Sequence, residues 1–186
     1  MGWFSKKPSQ AALIGTDAGE TARAQLFIPI NLSNPFTPEG LLEDPYVVGF
    51  LMGMVYGLAD VATARRGKSF SETEKNEFLM AAIEAIVGHE RSAGYVSVVR
   101  KSNFSKEYEE GRSSGRALIL ATYAYPALLE EQKAGRADVV QGALKKIEER
   151  RDFVLEVNPD WGDKELLMWA IPEVSINRHL SAKYNL

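Results

Sequence analysis

The sequence predicts an all-α fold: a single compact bundle of about six or seven helices, with a less regular N-terminal arm and at most a minor β element. Three observations carry that expectation. Capping residues and prolines recur where helices would start, apolar residues return every three or four positions between them, and no alternation of strands with helices runs along the chain. A length of 186 residues, 45% hydrophobic and 25% charged, suits one domain with its own core. No repeat, low-complexity tract or linker divides it, so the organisation is an arm over 1–36 and a helical domain over 37–186.

The arm is punctuated by Gly15, Gly19, Pro29 and Pro35. Asp17 and Glu20 have capping-box spacing, which allows a short helix from Ala18 to Phe27 before Pro29 stops it; residues 25–32 equally suit an extended edge segment. Thr37-Pro38 and Asp44-Pro45 then each place a capping side chain before a proline at the first helical position. The second opens the main helix, Pro45 to Arg66, with Arg65 and Arg66 facing the negative end of the dipole and Gly67 as its left-handed cap. Ser71 and Glu74 form a capping box, and Phe78, Leu79, Ala82, Ile83 and Ile86 share one face until Gly88. These two helices are expected as an antiparallel pair joined by a short basic loop.

Over 89–104, Tyr95, Val96, Val98 and Val99 suit a strand while their spacing also suits a short helix, which is the expected state. Ser105 caps a helix from Lys106 whose early glutamates, Glu107, Glu109 and Glu110, suit its positive end. Pro126 should break that helix just after Tyr125, and Gly135 closes the segment. Asp138 with Gln141 should cap the next one, where Val139, Val140, Ala143, Leu144 and Ile147 form an apolar stripe. After the turn at Asn158-Pro159-Asp160, a helix from Trp161 to Ile171 precedes Pro172, and a short one spans Val174 to Lys183.

Composition removes several function classes. The absence of cysteine excludes disulfides, thiolate zinc sites and cysteine nucleophiles, and the two histidines, His89 and His179, leave metal chemistry thinly supplied. His89-Glu90 has no second histidine one turn away, so no metal ligand, cofactor site or catalytic residue is assigned. A net charge of −3 gives no global pull toward nucleic acid, and the basic clusters Arg65-Arg66-Gly67-Lys68 and Lys145-Lys146 with Arg150-Arg151 lack interleaved aromatics; nucleic acid is not expected as a partner. Residues 1–19 hold only Ala11–Ile14 as an apolar run, so the chain is expected to be cytoplasmic. The apolar run from Tyr46 to Ala59 is expected to be a buried core helix, since Asp60 would be costly in hydrocarbon. Trp3, Phe4, Lys6 and Lys7 resemble a small membrane-touching foot, and with Arg65, Arg66 and Lys68 they are the candidate contacts to an anion or a membrane surface.

One anomaly stands inside the best-capped helix. Gly49, Gly53 and Gly57 recur every fourth residue, each costing about 1 kcal/mol relative to alanine, and close backbone approach is the expected compensation. A second pair, Gly111 and Gly115, follows Ser105. One stripe should receive the other helix, or the same stripe of a second copy. Gly111-Arg112-Ser113-Ser114-Gly115 also matches the G-x-S-x-G nucleophile elbow, followed by acids (Asp138, Asp152, Asp160, Asp163) and then His179, but charged helix-forming residues stand where the elbow needs a buried strand. Tyr123, Tyr125, Trp161 and Trp169 suggest a core layer or a pocket wall.

The expectation is therefore a non-enzymatic helical interaction protein, self-associating or acting as a subunit or adaptor, with protein as its partner and no cofactor. Two alternatives remain. One is a peripheral membrane-associated protein using the N-terminal aromatic and basic segment; the other is a small-molecule-binding helical protein or hydrolase around Ser113.

Overall fold

The computed structural model describes residues 7–33 and 37–186, which contain nine α-helices and no strand. In chain order these are α1 (Gln10–Ser33), a 3-10 turn (Leu41–Glu43), α2 (Pro45–Arg66), α3 (Glu72–Val87), α4 (His89–Ser102), α5 (Lys106–Tyr123), α6 (Tyr125–Lys133), α7 (Asp138–Val157), α8 (Asp163–Val174) and α9 (Ile176–Tyr184). Residues 89–104 thus take the helical alternative.

The strongest punctuation behaves as the residues dictate. Asp44 caps α2 by accepting from the N–H groups of Tyr46 at 2.8 Å and Val47 at 3.2 Å, and Gly67 ends the helix at φ 64°. Ser71 and Glu74 close a reciprocal capping box on α3, and Ser105 accepts from Tyr108 N–H at the start of α5.

Five expectations are corrected. The stretch expected as an irregular arm is a continuous helix from Gln10 through Pro29 to Ser33. Ala11, Ala18, Ala22, Leu26 and Ile30 form its buried stripe, and that burial outweighs the backbone bond a mid-helix proline forfeits. The antiparallel pairing of α2 with α3 is not the packing adopted, because α3 lies on α1 and α2 lies on α5. The cap at Asp138 does not form: Ala137 occupies the N-cap without a side-chain bond, and Asp138 sits inside the first turn, where its charge meets the helix dipole instead. Finally, α8 runs through Pro172 to Val174, and the break expected after Tyr125 falls at Ala124, leaving Pro126 in the first turn of α6, where its missing N–H is not needed.

Both main pairs are parallel. A Cβ at Gly15 would meet Phe78 O and one at Gly19 would meet Ala82 O, each at 2.2 Å, so the register ascends on α1 and α3 together. The same holds for α2 and α5, where Gly49 faces Tyr108 and Gly53 faces Arg112. Helix α2 lies at the centre of the core, with Phe50, Leu51, Met52 and Met54 fully buried. It is the one helix among the described residues long and apolar enough to cross a membrane, and most of its residues from Tyr46 to Gly57 are buried against the bundle. Around this centre, α7 packs on α8, α8 on α5, and α9 folds back to the start of α2.

Candidate functional site around Ser113 and His179

The glycine stripes face each other within the chain. A Cβ would lie 2.1 Å from Tyr108 O at Gly49, 2.1 Å from Arg112 O at Gly53, 2.1 Å from Tyr46 O at Gly111 and 2.0 Å from Phe50 O at Gly115. Gly57 continues the groove, where an added Cβ would stand 3.0 Å from Ile119 Cβ. All five glycines are buried by these contacts, so the stripe presents no open face to a second molecule.

The basic candidates separate. Trp3, Phe4 and Lys6 lie outside the described residues, while Lys7, Arg65 and Lys68 are exposed. Arg66 is turned inward, bridging Glu74 at 3.0 Å and lying 4.5 Å over the Phe70 ring. His89 pairs with Glu84 at 2.9 Å on the surface. Of the aromatic set, Tyr123 is exposed and Tyr125, Trp161 and Trp169 are partly buried against the core; among the described residues the ring pairs that form are Tyr46 with His179 and Phe70 with Phe78.

A polar cluster unites two ends of the sequence. Asp44, its side chain 1% exposed, accepts from His179 Nε2 at 3.1 Å, from the Tyr184 hydroxyl at 3.1 Å and from Lys183 Nζ at 2.6 Å, in addition to its two capping bonds. Burial pushes its pKa upward, but hydrogen bonds from His179, Lys183 and Val47 N–H outweigh that and hold the carboxyl well below the usual range. Tyr184 answers in the other direction: burial and the adjacent Asp44 charge push its phenol up to about 12. The imidazole of His179 stacks on Tyr46, ring centres 4.4 Å apart, and the Tyr46 hydroxyl lies 3.3 Å from Ser114 Oγ. The contact between His179 and Asp44 spans 135 positions and leaves no local signal in the sequence.

The G-x-S-x-G segment lies wholly inside α5, so no strand-to-helix elbow forms. Ser114 Oγ donates back to Glu110 O at 2.9 Å, and among the described residues no hydrogen bond joins His179 to either serine. Ser113 is the open one: its hydroxyl has no hydrogen-bond partner among the described residues and stands between two clefts. One, of about 350 Å³, carries Arg112, Arg116 and Arg136 over a floor that includes Leu120 and Leu128. The other, of about 740 Å³, has His179 and Tyr46 on one wall, with the acids Glu107, Glu110 and Asp138 and the bases Lys106 and Arg178 around it. Among the described residues, no group of three His, Asp or Glu side chains is placed to hold a metal ion.

Compared with family models, with curated proteins and with solved structures, the chain matches none of them.

Proposed function

We propose that this chain is a non-enzymatic helical binding protein that holds a small polar molecule beside Ser113. One observation carries the reading: a half-buried serine with an unengaged hydroxyl stands between an arginine-lined cleft and a larger one lined by both acids and bases. Convergent polar groups above an apolar floor are the usual makings of a ligand site. Binding is favoured over catalysis because the Asp44 carboxylate is saturated by five donors and holds His179 Nε2, leaving that nitrogen no freedom to serve Ser113.

The reading is tested by titrating neutral, cationic and anionic fragments while following backbone amide shifts. Fragments should move the amides flanking Ser113, and Ser113→Trp, which fills the junction between the clefts, should abolish those shifts without altering the fold. If no compound gives a Ser113-dependent response, the reading is wrong.

A second reading, a subunit that contacts other protein, is favoured by a different observation. Phe153 and Val157 stand one turn apart on α7 at 64% and 66% exposed, and Phe104 before α5 is 92% exposed.

A further inference from the structure

The cleft on the cationic side of Ser113 is specific enough to name its ligand class, an inference that rests on the binding reading above. Arg112 and Arg116 stand four residues apart on α5 and so share a face, while Arg136 reaches the same cleft from the loop between α6 and α7. Each is steadied by a carboxylate. Arg112 is held by Glu109 at 2.6 Å, Arg116 by Asp60 at 3.2 Å and Glu131 at 3.4 Å, and Arg136 by Glu131 at 3.2 Å.

These contacts leave donors over. They engage Nε and Nη2 of Arg112, Nε and Nη1 of Arg116, and Nε of Arg136. Because a guanidinium carries five N–H groups, Nη1 of Arg112, Nη2 of Arg116 and both terminal nitrogens of Arg136 retain donors without a partner among the described residues. Glu109 holds Arg112 through two of its nitrogens, and Glu131 joins Arg116 to Arg136.

The free donors then select the ligand. The lining carries three arginines and one acid, Glu131, while Glu109 and Asp60 meet Arg112 and Arg116 from outside it, so the three carboxylates offset the guanidinium charges and the unengaged N–H groups are what an anion meets. Donors arriving from three side chains suit the peripheral oxygens of a tetrahedral phosphoryl group, whereas a planar carboxylate is satisfied by a single fork. Leu120 and Leu128 lie beneath the cleft, almost wholly buried, and about 350 Å³ limits the occupant to a small molecule.

We propose that this cleft binds a small phosphate monoester, its phosphoryl group among Arg112, Arg116 and Arg136, the Ser113 hydroxyl adding a donor and the organic part lying over Leu120 and Leu128. Glu131 already plays the anion in part: the hydrogen bond from Arg136 and the charge of Arg116 lower its pKa against the opposing effect of burial.

Calorimetric titration of the full chain with phenyl phosphate, inorganic phosphate and benzoate tests this. Phenyl phosphate should bind saturably and more tightly than the other two. Arg112→Gln and Arg136→Gln should each weaken it roughly tenfold, the scale of one charged hydrogen bond, while Lys145→Gln, outside the cleft, should leave it unchanged. Arg112 pairs with half-exposed Glu109 and Arg136 is itself exposed in the loop between α6 and α7, and circular dichroism checks that the variants keep their helices. The proposal is overturned by absence of saturable binding, by an affinity that neither arginine variant alters, or by benzoate or free phosphate binding as tightly as the ester. Should it fall while neutral or cationic fragments still shift the amides around Ser113, the phosphate assignment is lost and the binding reading survives.

Discussion

Asp44 performs two tasks with one carboxylate, capping α2 and tying α9 to it. Substitution separates the two. Asn is as good an N-cap as Asp, so Asp44→Asn keeps the bonds from Tyr46 and Val47 N–H while losing the charge that His179 and Lys183 meet. Asp44→Ala loses both and leaves buried donors unpaired; it should lower unfolding stability by about 3 kcal/mol, and Asp44→Asn by roughly half that, measured by urea denaturation. The pH dependence has a definite sign. An unfolded aspartate titrates near about 4, and this one titrates lower when folded, so its contribution is complete above that pH and is lost as pH falls toward the folded value. The urea midpoint should therefore drop on acidification below about pH 4, and drop less in Asp44→Asn; equal slopes in the two proteins would show that the clasp is not the group titrating.

Between elements, the decisive quantity is how close two backbones come. At Gly53 an added methyl would stand 2.1 Å from Arg112 O, a backbone atom that cannot move without displacing α5. At Gly94, inside α4, nothing lies within 4 Å. The same substitution should thus have opposite signs: Gly53→Ala should lower stability by about 2 kcal/mol through overpacking, and Gly94→Ala should raise it by about 0.7 kcal/mol through helix propensity. Thermal melts of the two variants check this, and a common sign would remove close approach as the reason for the stripe. Legibility in the sequence follows the same physics. Starts at Asp44, Ser71 and Ser105 were readable because capping is a contact between residues three positions apart. The glycine stripe in α2 was readable because its strong flanking caps already made it a helix. Gly15 and Gly19, which seat α1 on α3 in the same manner, looked like punctuation because Pro29 masked the helix around them; the burial of Leu26 and Ile30 that overrides the proline is a tertiary effect with no local trace.

At the scale of the whole molecule, interleaved parallel pairs, α1 with α3 and α2 with α5, consume the small-residue faces that could otherwise have served association. The candidate site was half legible for a related reason. Ser113 and the arginines on α5 could be placed on one helix from sequence, whereas Arg136 and His179 arrive through folds of the chain that no spacing encodes. Among the described residues, the exposed apolar side chains that remain for contact with another protein include Phe104, standing alone before α5, and the pair on α7. Phe153 at 64% and Val157 at 66% exposed supply on the order of 200 Å² of apolar surface, against the roughly 800 Å² per partner that a stable interface buries. Isolated apolar side chains of this extent are ordinary on monomers. The chain should accordingly run as a monomer of 20.6 kDa in light scattering at micromolar concentration, and Phe153→Ser should leave both its mass and its melting temperature unchanged within the ±0.5 kcal/mol or so typical of surface substitutions. A stable dimer that Phe153→Ser dissociates would reverse the order of the two readings, placing protein contact through α7 ahead of ligand binding beside Ser113.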